Sequence, residues 1–122
     1  YNLPIDAGVM GQFSADEQRF GIHAGDIETS MMLALSPSSV NMAEAQNFAS
    51  TSQDRAKHYA VLGNGKSAKL GWHMQDYNPQ GAAGNASAAT TAKGEALVQS
   101  AGEQLALLLK ELVALPLSTV RV

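Results

Sequence analysis

"KLGWHMQDYN", residues 69–78, separates two architectures that the rest of the chain leaves open. Its side chains alternate: Leu70, Trp72, Met74 and Asp76 share one face, and His73, Gln75 and Tyr77 share the other. A period of two is the mark of a strand. Reading outward, "NPQGAAGNAS" (78–87) turns the chain, and Ser87 or Thr90 is placed to cap a long helix from about Ala88 to Leu115. In that helix Leu97, Ala101, Leu105, Leu108, Leu112 and Leu115 form a stripe, and Pro116 ends it. Upstream, Ile27, Met31 and Leu35 fall four apart, which predicts a helix over about Gly25 to Leu35, stopped by Pro37. Helix, strand, glycine turn and helix, in that order, predict a layered α/β domain rather than a bundle. One clear strand is too few for a complete sheet, so further strands belong to weakly patterned segments or to sequence outside these residues.

Composition limits what such a domain can do. With 122 residues, 45% of them hydrophobic, the chain can bury one modest core. Its formal charge of −3, with only 8 Lys and Arg, offers no basic stripe for phosphates, so nucleic acid is not an expected partner. The absence of cysteine removes disulfides, thiolate nucleophiles and Cys-type zinc sites together. No apolar run reaches the roughly 20 residues that span a bilayer, and no signal-peptide profile opens the chain, so no membrane is expected and a cytoplasmic setting is. A start at Tyr1 without an initiator Met is expected of a processed product or a fragment. Residues 1–19 read as a loop with a short helix after Ser14, and 36–65 as irregular connection with short elements.

The densest chemistry lies in "FGIHAGDIETSMMLALSP", residues 20–37, where His23, Asp26, Glu28 and Thr29 precede an apolar helix. On the residues alone, Glu28 is a first-turn acid favoured by the helix dipole by about 0.3 to 1 kcal/mol. Asp26 is placed to cap the helix, and Gly25 to permit a close backbone approach. Asp76, an acid on the buried-looking face of the predicted strand, needs a partner, for which Lys93 or the amides of the glycine turn are available. Gly81 and Gly84 lack the ending of a phosphate-binding loop and read as a structural turn. "VLGNGK" (61–66) reads as a plain turn. Trp72 and the leucine stripe are expected in the core or a subunit interface, while His58 and His73 stand in no recognisable pattern.

Two segments carry a resemblance. "GIHAGDIETSMMLALSPSSVNM" (21–42) resembles the His-Ala-Gly-Glu-x-Glu-Thr-Ser segment of the creatininase (creatinine amidohydrolase) family. "DYNPQGAAGNASAATTAKGEAL" (76–97) resembles that family's Gly-x-x-Gly-(Asp/Asn)-x-x-x-Ala-Thr-x-x-Lys-Gly segment. Both occur in the family's order, and the resemblance implies that residues 1–122 are the C-terminal part of a single creatininase-like α/β/α domain. It implies an amidohydrolase that cleaves a C–N amide bond of a small cyclic or formamide-type substrate, with divalent Zn or Mn ions. Glu28 is then implied at the metal centre, as a ligand or just behind one, and His23 in proton transfer. Gly25, Thr29 and Asp76 are implied as substrate-side or supporting residues. The remaining family ligands, a Glu-x-His pair, an Asp and the His of His-x-Asn-Gly-Asn, match nothing here. The chain alone is therefore expected to hold metal weakly and to be inactive. The family also implies a homo-oligomer, commonly a hexamer, or pairing with a missing N-terminal half. The alternative reading is a non-catalytic fragment or assembly module.

Overall fold

The computed structural model describes residues 4–63, 68 and 72–119. Two short helices come first. α1, Ala7–Met10, starts where the Asp6 side chain accepts the N–H groups of Gly8 and Val9. α2, Ala15–Phe20, starts where Ser14 Oγ accepts the Glu17 N–H at 3.1 Å, as the sequence predicts. α3 runs Asp26–Leu35 and stops at Ser36, ahead of Pro37. A connection of single 3-10 turns then leads to β1, Asn47–Phe48, and α4, Ser52–His58. A one-turn helix, α5, Met74–Tyr77, precedes β2, Gly84–Asn85. α6 spans Thr91–Ala114: Thr90 Oγ1 accepts the Lys93 N–H at 3.3 Å, and the helix ends just before Pro116.

The architecture is helix-rich α/β with a two-stranded antiparallel sheet, in which Asn47 faces Asn85 and Phe48 faces Gly84. α3 lies across the first half of α6, and Gly94 sets how close they come. A Cβ there would run into the Ser30 carbonyl oxygen and approach Ala34 Cβ to 3.0 Å. Because a mid-helix glycine costs roughly 0.5 to 1 kcal/mol against alanine, it is there for this contact. α1 is tied to the same helix by the Asp6 N–H donating to Ser100 Oγ at 2.9 Å. Phe13, Tyr77, Leu97 and four alanines, at 82, 83, 86 and 89, make up the small buried apolar core.

Several expectations are corrected. Residues 74–77 are helical, not extended; the His73 N–H donates to Asp76 Oδ2 at 2.8 Å and closes a capping box around the turn. A few alternating residues fit one helical turn as well as a strand, and local capping decides between them. Residues 69–71 of the expected strand lie outside the described residues. Asp76 consequently serves its own turn, and Lys93 pairs with Asp26 instead. The buried positions of α3 are Asp26 and Ser30, not the Ile27–Met31–Leu35 face, whose Leu35 is 65% exposed. A crossing this tight selects small and paired polar groups over bulky apolar ones. In α6 only Leu97 of the leucine stripe is buried, and Trp72 is exposed, with its ring edge-on to Tyr77 at 4.7 Å. Of "VLGNGK", residues 64–66 lie outside the described residues, while the Gly63 N–H donates to the Ala68 carbonyl at 2.9 Å.

Candidate active site

His23 sits on a loop pinned at both ends. Before it, the N–H of Gly21 donates to the Glu17 carbonyl at 2.8 Å and closes α2. At the histidine itself the backbone bridges to Ala83: the Ala83 N–H donates to the His23 carbonyl at 2.8 Å, and the Ile22 N–H to the Ala83 carbonyl at 2.8 Å. The chain then turns sharply at Ala24, whose φ of +52° lies in the left-handed region that costs a non-glycine residue roughly 1 to 2 kcal/mol. Two side chains from the first turn of α3 hold that conformation. The Ala24 N–H donates to Glu28 Oε2 at 2.6 Å, and Thr29 Oγ1 donates to the Ala24 carbonyl at 3.3 Å. Strain of this kind persists only where neighbours over-determine it.

The turn delivers His23 to Glu28. His23 Nδ1 lies 3.2 Å from Glu28 Oε2, and both side chains remain about half exposed, at 57% and 49%. A carboxylate facing Nδ1 favours the tautomer with the proton on that nitrogen and leaves Nε2 as the basic one. An open cleft of about 280 Å³, lined by His23, Glu28, Thr29, Met32, Val40 and Asn41, adjoins the pair. A smaller hollow of about 130 Å³ on the inner side is shared by His23, Glu28 and Glu17. His23, Gly25, Glu28 and Thr29 thus come together, as the sequence expects. Asp76 belongs elsewhere, in the α5 turn.

Asp26 points away from this cleft, but not to cap α3. Its side chain is 4% exposed and receives Lys93 Nζ at 2.7 Å and the Ser30 hydroxyl at 3.1 Å. The residue at the N-cap position, Gly25, has no side chain to offer. The missing cap is supplied from α2: Glu17 Oε1 accepts the Ile27 N–H at 3.2 Å, while Oε2 accepts the Asn85 N–H at 2.9 Å. Glu17 is 5% exposed, and Cβ atoms at Gly21, Gly25 or Gly84 would all collide with it. Sequence reasoning passes over Glu17. The signal that points to it is the set of three separated glycines, each next to a segment that has to approach something closely.

The described side chains do not by themselves complete a metal centre. Among the described residues no group of three or more His, Cys, Asp or Glu side chains is arranged to hold an ion, and Glu28 Oε2 is already engaged by Ala24 and His23. Nor, among the described residues, is any helix long and apolar enough to cross a membrane.

A search of curated proteins finds no match. The chain is similar to a crystal structure from Bacteroides fragilis NCTC 9343 assigned as a creatinine amidohydrolase, at 30% identity and a TM-score of 0.65. The likeness covers 88% of this chain but 40% of that one, so the chain spans about two-fifths of that relative's length. The family model described as creatinine amidohydrolase matches residues 4–109, and by that match the chain belongs to the creatininase family.

Proposed function

We propose that residues 20–37 supply the proton-handling pair of an amidohydrolase acting on the C–N bond of a small cyclic or formamide-type amide. The observation that carries this reading is the 3.2 Å approach of His23 Nδ1 to Glu28, on a strained turn that opens to a cleft. In amide hydrolysis the attacking water loses a proton and the leaving nitrogen gains one. His23 Nε2 accepts the first and returns it as the second, while Glu28 steadies the imidazolium between the two transfers. Family membership implies a divalent ion such as Zn or Mn. The described residues do not by themselves group three ligands for it, and Glu28 is the carboxylate this chain would offer toward such an ion.

In the native polypeptide that carries this sequence, His23→Ala should lower hydrolysis of creatinine or a simple formamide by at least about 10²-fold, the lower bound for a positioned acid–base group. Activity within a factor of two of the parent would remove His23 from the reaction. The alternative reading, an assembly module, draws on exposed Leu105, Leu107, Leu109 and Leu112 of α6 and Leu115 just beyond it, which a second copy of the chain would cover. Sedimentation of the 122-residue chain should then give a multiple of 12.8 kDa, and a clean folded monomer would end that reading.

A further inference from the structure

We infer that Glu17 is the positioning residue for His23, holding the loop that carries it from beneath. This rests on the proton-transfer reading of His23. Glu17 shares the inner hollow with His23 and Glu28, and its hydrogen bonds go to the backbone on either side of the turn. It joins the two pieces of backbone between which that turn is suspended: the first turn of α3 through Ile27, and β2 through Asn85. β2 continues directly from Ala83, the residue bridged to His23, and α3 carries Glu28 and Thr29, which clamp Ala24. The carboxylate therefore sets the distance between the support behind His23 and the acid beside it.

Cost argues for a dedicated role. Burying a carboxylate forfeits its hydration, and among the described ion pairs Glu17 has no cation to offset that loss. Two backbone N–H groups and the positive end of a ten-residue helix are its compensation. Glycines at 21, 25 and 84 make room for it, two of them immediately flanking the His23 loop. A neutral side chain could cap α3 alone. Bridging two N–H groups that point at one spot from separate elements requires both oxygens of a carboxylate.

The test is Glu17→Gln, which keeps the shape but presents an amide NH₂ to one of the two N–H groups. In long-range ¹H–¹⁵N spectra of the native polypeptide, neutral His23 should be mainly the Nδ1–H tautomer, and the substitution should shift it measurably toward Nε2–H. The turnover number should fall about tenfold with KM unchanged, because His23 acts in the chemical step. An unchanged His23 tautomer in folded Glu17→Gln protein would overturn the inference and reduce Glu17 to a structural cap. If the variant does not fold, hydrogen exchange in the parent protein decides. The Ile27, Asn85 and Ala24 amides should open together, within about twofold in protection. An Ala24 amide exchanging freely while the other two stay protected would overturn it. Loss of activity on Glu17→Gln with no loss on His23→Ala would instead sink the proton-transfer reading, and the tautomer shift would still report on the positioning.

Discussion

Lys93→Met should destabilise the protein by about 3 to 5 kcal/mol, the usual result of removing one partner from a buried ion pair. Asp26 is left with 4% of its side chain exposed and without the Lys93 ammonium that now stands 2.7 Å away. Of its other contacts, the Ser30 hydroxyl at 3.1 Å is a neutral donor and offsets only part of a stranded charge. Lys93 itself is well used: Nζ also donates to the Ala88 carbonyl at 3.0 Å and lies 5.2 Å from the centre of the Phe13 ring. Urea unfolding of parent and variant measures the difference. The double substitution Lys93→Met with Asp26→Leu should recover most of the loss, because it removes the charge rather than abandoning it. A single-variant loss below about 1 kcal/mol would mean that water reaches Asp26.

Gly94→Ala should cost about 3 kcal/mol, although alanine is the better helix former by nearly 1 kcal/mol. The added methyl group meets the Ser30 carbonyl, which is backbone of another helix and cannot rotate aside as a side chain would. α3 and α6 would have to separate, and the hydrogen bond from the Thr90 N–H to Ser30 Oγ, 3.1 Å long, spans the same gap. Thermal unfolding should fall by about 10 °C. An unchanged or raised midpoint would show that the two helices are not held at the distance described.

What could be read in the sequence, and what could not, follows from the range of the forces involved. The ends of α6 are legible because Thr90 and Pro116 act on their own neighbours, and α2 is legible from Ser14 for the same reason. The HAGDIET turn is legible as a cluster because all its members lie within seven residues. Asp26 is misread because a first-turn acid looks the same whether it caps its own helix or faces a lysine 67 residues away. Glu17 is missed for a stronger version of that reason. Asp16 beside it is just as acidic but exposed, and the difference rests on the Asn85 amide, 68 residues further along.

The helix α6 leads two lives. Its first half, up to about Gln104, is wedged against α3 and α1, whereas from Leu105 to Ala114 every residue except Leu108 is exposed. The exposed stretch is shorter than the 12 to 15 residues that a helix needs to be even marginally stable on its own in water. Its hydrogen bonds consequently persist by continuing a ladder anchored elsewhere, and they fray inward from the exposed C-terminal turn at little cost. Within one unbroken element, opening free energies therefore run from nearly that of the whole fold down to almost nothing. A partner gripping the outer half would have its binding energy drawn on twice, once to make contact and once to hold the helix in being.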